Sequence, residues 1–111
     1  MASTTRRLMP QQSLTANQVQ PRDEVMDAGA YKTLECQGRC IVAGSNGQAK
    51  IQHAAVNEPD AFKDLAGAAW NLNATNNTVV SISNFLRYLR WVTDANVAGN
   101  PVALIDVVAK D

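Results

Sequence analysis

Cys36, Cys40 and His53 are the side chains of this 111-residue sequence best suited to thiol, imidazole or soft-metal chemistry. A cysteine nucleophile would need His53 within hydrogen-bond reach of a thiol. A zinc site would need all three side chains and a fourth ligand, and their spacing matches no standard zinc pattern. His53 falls on the apolar side of its run, away from any Ser, Asp or Cys at a catalytic spacing, and reads as a hydrogen-bonded core or interface histidine. Cys36 and Cys40 lie four positions apart in what reads as a strand, which separates their Cα atoms by roughly 13 Å, beyond the roughly 7 Å reach of a disulfide. Only a tight turn at Gln37-Gly38-Arg39 would bring them together, and the flanking pattern argues against one. They read as buried, reduced thiols, in keeping with synthesis in a cytoplasm.

The oxygen-bearing residues Asn57, Glu58, Asp60 and Asp64 would suit calcium, but they lack the alternating acidic loop with its glycine turn and read as a solvated loop. Glycoside hydrolysis needs two carboxylates at a fixed separation in a cleft, which spacing alone does not supply. No glycine-rich phosphate loop precedes a helix. Arg87-Tyr88-Leu89-Arg90-Trp91 interleaves charge with aromatic rings and would stack bases or sugars if its outer face were open. The plainer reading puts Leu89 and Trp91 in a core and Tyr88 and Arg90 at a subunit contact. Asn73-Ala74-Thr75 and Asn76-Asn77-Thr78 match glycosylation acceptors, and without a secretory signal they denote turn-forming asparagine.

Composition limits the partners. Ten basic residues balance ten acidic ones, so no global field concentrates nucleic acid or anionic lipid at the surface. The first ten residues lack the apolar run of a secretory signal, and no stretch has the length of a membrane span. Arg6, Arg7 and the hydroxyl residues around them, with no acid before Asp23, faintly resemble an organellar transit peptide, but a short disordered arm has the same composition and is the reading taken. A soluble, non-secreted protein is expected. The chain has the length of one domain, and with 46% apolar but only 5% aromatic residues its core must be built mainly of Val, Ile, Leu and Ala.

These side chains would be positioned by strands. Residues 1–30 hold Pro10, Pro21 and many Gln, Ser, Thr and Asn among the scattered apolar residues Leu8, Met9, Leu14, Val19, Val25 and Met26. They read as an extended N-terminal arm unable to form a core alone, either disordered or ordered by lying on a neighbour. From Tyr31 to Asp111, period-two runs separated by Gly, Asn, Asp and Pro clusters predict an all-β, small antiparallel sandwich. Leu34, Cys36, Cys40 and Val42 share one face. Ser45-Asn46-Gly47 supplies a turn, and Ala49, Ile51, His53 and Ala55 share the next face, so residues 31–55 read as a hairpin. Phe62 and Leu65 suit a helical turn or connection. Ala68, Trp70, Leu72 and Ala74 form a further strand face, and Val80 and Ile82 another. Residues 83–94 satisfy helical spacing too, but the run Tyr88, Trp91, Val92, Thr93 favours a strand over 87–93. Residues 101–109 are apolar on both faces and predict a central or covered strand.

The strand before Ala43-Gly44-Ser45-Asn46-Gly47, the loop Asn57-Glu58-Pro59-Asp60-Ala61-Phe62 leading to Asp64-Leu65, the stretch from Ser83 to Val92 and the closing run Val102 to Asp111 form a layout. That layout resembles the small jelly-roll proteins that serve tailed phages as accessory structural proteins, such as capsid decoration proteins and head-fibre bases. The resemblance implies a virion protein with no enzymatic role and no cofactor that caps or cements a shell. It would act as a symmetric oligomer, a trimer foremost, on a major capsid or other virion protein. Leu8, Met9, Leu14, Val25 and Met26 of the arm, with Tyr88 and Arg90, are the expected contacts. The rival expectation is a carbohydrate-binding module with Trp70, Tyr88 and Trp91 as platforms.

Overall fold

The computed structural model describes residues 3–111; Met1 and Ala2, at the tip of the expected arm, lie outside the described residues. The described residues form eight strands in chain order: β1 (Ser3–Ser13), β2 (Met26–Asp27), β3 (Thr33–Val42), β4 (Gln48–Ala54), β5 (Lys63–Asn71), β6 (Asn76–Ile82), β7 (Tyr88–Thr93) and β8 (Val102–Lys110). Single 3-10 turns occur at Arg22–Glu24 and Pro59–Ala61.

The strands form two four-stranded sheets, ordered β1-β8-β3-β6 and β2-β7-β4-β5, with antiparallel pairings throughout. First pairs with last, second with seventh, third with sixth and fourth with fifth. This is a long antiparallel ribbon rolled into two facing sheets, the jelly roll. The doubly apolar closing run is explained by its place: β8 lies inside its sheet between β1 and β3. Ala103, Ile105, Val107 and Ala109 face the core, and Leu104 on the opposite face is also buried. Burial along β3 alternates cleanly through Leu34, Cys36, Gly38 and Cys40. Trp70, Leu89 and Trp91 from the other sheet, with Leu72 just past the end of β5, share the buried interior.

Residues 3–30 correct the expectation of a separate arm. β1 pairs with β8 from Ser3 opposite Lys110 to Ser13 opposite Val102, with register shifts between Arg7 and Met9 and between Met9 and Gln12. The bulges turn the adjacent side chains Leu8 and Met9 both inward, at 1% and 0% exposure. Leu14 and Met26 are buried in the same core cluster. The segment therefore finds its burial within its own chain, because β8 offers it a full ladder of backbone partners.

The expected hairpin of residues 31–55 is corrected too. β3 already has β8 on one side and β6 on the other, so β4 has no place beside it and pairs instead with β5 and β7. The link between β3 and β4 crosses from one sheet to the other and is pinned by Gly44 N–H to Leu72 C=O (2.8 Å), Leu72 N–H to Gly47 C=O (2.9 Å) and Ser45 N–H to Ala98 C=O (2.9 Å). Gly47 turns there with φ of 98°, a value that favours glycine. Val42 and Ala55, at the strand ends, point to solvent rather than inward. The helical turn expected near Phe62 is present at Pro59–Ala61, but Leu65 belongs to β5. Residues Tyr88–Thr93 are a strand, as their aromatic and β-branched run predicts.

Candidate functional site

Of the seven expected contact residues, four are in the core: Leu8, Met9, Leu14 and Met26 are at most 3% exposed. Val25 is half-buried just after the 3-10 turn. Tyr88 and Arg90 alternate with the core residues Leu89 and Trp91 along β7, which places them on the outer face of the β2-β7-β4-β5 sheet. That face is the candidate site.

Its polar groups are held in a cross-strand network. Arg90 donates from Nε and Nη2 to Gln52 Oε1 (3.0 and 2.9 Å) and from Nη2 to the Pro59 carbonyl (3.4 Å), and its guanidinium lies 4.2 Å from the centre of the Phe62 ring. Gln52 in turn donates to Asp64 (3.1 Å), which also receives Lys50 Nζ (3.3 Å). At the other end, Arg87 makes a two-pronged pair with Asp27 (3.0 and 2.9 Å) and lies over the Tyr88 ring at 5.1 Å. The hydrogen bond from Arg87 holds the Asp27 carboxyl below the usual carboxylate range.

Charge on this face is unevenly matched. Lys50 meets Asp64 and Arg87 meets Asp27, whereas Arg90 rests on a carboxamide, a carbonyl and a ring, all neutral. Partial burial lowers its pKa from the ordinary arginine value, which leaves it a cation at neutral pH. A fixed, flat cation of this kind suits a carboxylate on an opposing surface, because little rotamer freedom remains to be lost.

The other sequence candidates separate. Trp70 and Trp91 are 4% and 5% exposed, so of the three expected sugar platforms only Tyr88 reaches the outer face. Cys36 and Cys40 are free thiols in the core, and burial pushes the Cys36 thiol up to about 12. His53 accepts the Leu86 N–H at Nδ1 (3.1 Å), and burial lowers its pKa. Among the described residues, no three of His, Cys, Asp and Glu converge as a metal site would require. Sequence reasoning missed Gln52, Phe62 and the Asp27–Arg87 pair, whose members come together only when the ribbon rolls up and which leave no local signal.

Fold and surface together define an eight-stranded jelly-roll sandwich with a polar, cross-braced outer face. No family model matches the sequence, and no curated protein matches it. Among solved structures the chain is similar to the SPBc2 prophage-derived protein YomS, with a TM-score of 0.58 over 98% of this chain and 94% of that one, at 11% identity. At that identity the likeness is one of fold.

Proposed function

We propose that the chain is a non-enzymatic structural protein of a phage particle, and more closely a decoration or cement protein that bridges neighbouring shell subunits. The observation that carries this reading is the end-to-end likeness of fold to a prophage-derived protein. The braced outer face supports it, since a rigid patch centred on Arg90 and Tyr88 would dock on a shell with little ordering cost. Each copy would touch more than one subunit, so individually weak contacts add through effective concentration. Immunogold labelling of particles from cells that make the protein tests this. Gold on the shell supports the cement role. Gold confined to the tail overturns that role, and unlabelled particles overturn the virion assignment.

A further inference from the structure

A sheet edge presents unpaired N–H and C=O groups to any strand that approaches, and natural proteins blunt such edges with charge, proline, bulges or brevity. This sandwich has four edges. β1 carries Arg6, Arg7, Pro10 and two register shifts. β2 is two residues long. β5 carries Lys63, Asp64 and Gly67, at φ of 86°, and its register with β4 breaks between Lys50 and Gln52.

β6 has none of these devices. Its sequence Asn-Asn-Thr-Val-Val-Ser-Ile contains no charge, proline or glycine, and the chain carries no charged residue anywhere between Asp64 and Arg87. Its pairing with β3 runs from Leu34 opposite Ile82 to Cys40 opposite Asn76 without a shift, so the strand is regular along its whole length. Val79, on the outer face, is 56% exposed. Val80 and Ile82, on the inner face, are only partly buried at the rim of the core.

We propose that β6 is a pairing edge and that its occupant is a second copy of this chain, joined by antiparallel β6-to-β6 pairing about a two-fold axis at Val79. That register sets Val79 beside its own copy on the outer face, with Asn77 opposite Ser81. On the inner face Thr78 lies opposite Val80 and Asn76 opposite Ile82, so the half-covered apolar side chains gain cover. Every pair is uncharged, and the two partners offer each other the same surface, as a two-fold contact requires. A charged partner strand would find no complementary charge along β6. The contact is narrow compared with the roughly 1,200 Å² of a stable interface, so the dimer is a weak one that strengthens where copies are concentrated. A two-fold contact makes a dimer, in place of the trimer that the sequence resemblance implies, and the inference does not rest on the phage reading.

Sedimentation velocity on the full chain over a micromolar-to-millimolar series tests it. The expected result is a reversible monomer–dimer equilibrium that Val79→Lys weakens by roughly tenfold or more through like charge at the axis. An equimolar mixture of Val79→Lys and Val79→Glu should recover the dimer, and Thr5→Lys on the β1 edge should leave it unchanged. Circular dichroism matching that of the parent checks that each variant is folded. Monomer throughout the series, including the case where β6 takes only a strand from a different protein, overturns the proposal. So does parent-like dimerisation of Val79→Lys, or a mixture that fails to recover.

Discussion

Gly38 in the middle of β3 lies directly against the indole of Trp70 in β5: a Cβ added at Gly38 would sit 2.4 to 2.5 Å from three atoms of the ring. The indole also donates from Nε1 to the Thr78 carbonyl (3.1 Å), which ties β5 to β6 through the core. Glycine in a strand interior weakens the strand unless something needs the space, and here the ring does. Gly38→Ala should therefore destabilise by about 1–3 kcal/mol through overpacking, despite alanine's better strand propensity. Thermal melts of the variant check this, and an unchanged or higher midpoint would show that the ring moves aside freely.

The side chain of Gln20 joins β7 to β1 and to the 3-10 turn at Arg22–Glu24. Its Oε1 accepts the Trp91 N–H (3.1 Å), and its Nε2 donates to the carbonyls of Leu8 (3.2 Å) and Glu24 (2.8 Å), at 5% exposure. Gln20→Ala takes this partner from the buried Trp91 N–H and from the Leu8 carbonyl and should cost about 1–3 kcal/mol. Gln20→Glu is the sharper test. It keeps an acceptor for Trp91 but turns a second oxygen toward two carbonyls, so its deficit in urea denaturation should be larger at neutral pH than near pH 5, where the carboxyl is more readily protonated. A deficit independent of pH would remove Gln20 from this role.

Burial holds Cys36 as a thiol at neutral pH, with its pKa near 12, and raises that of Cys40 as well. Since the thiolate is the reactive species, iodoacetamide at pH 7.5 should leave both residues unmodified in the folded protein and label both in urea. Mass spectrometry reads the difference, and rapid labelling of the native chain would contradict the buried placement.

Two groups of residues set the pH dependence. The folded-state pKa of His53 is lowered below its ordinary value of about 6.5, so below that pH the unfolded chain binds more protons and stability falls as pH drops. Asp27 and Asp64 are also lowered, by hydrogen bonds from Arg87 and from Gln52 respectively. Their contribution is present above the ordinary carboxylate pKa and is lost as pH falls below it. Urea midpoints should rise from pH 5 to about 6.5 and then level off, and His53→Asn should flatten that rise. A midpoint that falls over this interval would reverse the sign and refute the assignment.

Much of the sandwich was legible in local pattern. The alternation of Leu34, Cys36 and Cys40 and the aromatic run ending at Thr93 gave β3 and β7. The doubly apolar Val102 to Ala109 pointed to a central or covered strand, and β8 is the central one. What escaped is non-local. β1 did not look like a strand because its bulges set Leu8 and Met9 side by side in the core, which breaks the period of two. The exchange of sheets between β3 and β4 depends on β6 and β8 occupying both sides of β3, and neither signals that from near Gly47. The outer face was legible only in Tyr88 and Arg90, because the groups that fix Arg90, namely Gln52, Pro59 and Phe62, come from more than 25 residues away in sequence.

The N-terminal segment gives the largest consequence of that correction. A free arm would be cleaved readily in isolated protein, and its loss would leave the sandwich folded. In the structure, however, β1 covers the full length of β8, and Leu8, Met9 and Leu14 are each at most 1% exposed. At about 1.5–3 kcal/mol for each such side chain, removing the three forfeits roughly 4.5–9 kcal/mol, against a typical total stability of about 5–15 kcal/mol. It also leaves β8 as a bare, strongly apolar edge open to aggregation. A chain beginning at residue 16 should therefore be unfolded or aggregated on expression. In the intact protein, bonds between residues 4 and 14 should resist trypsin at Arg6 and Arg7 until the global unfolding transition. A truncated chain with native circular dichroism and a cooperative melt, or rapid cleavage at Arg6 or Arg7 under native conditions, would return the segment to the status of an arm.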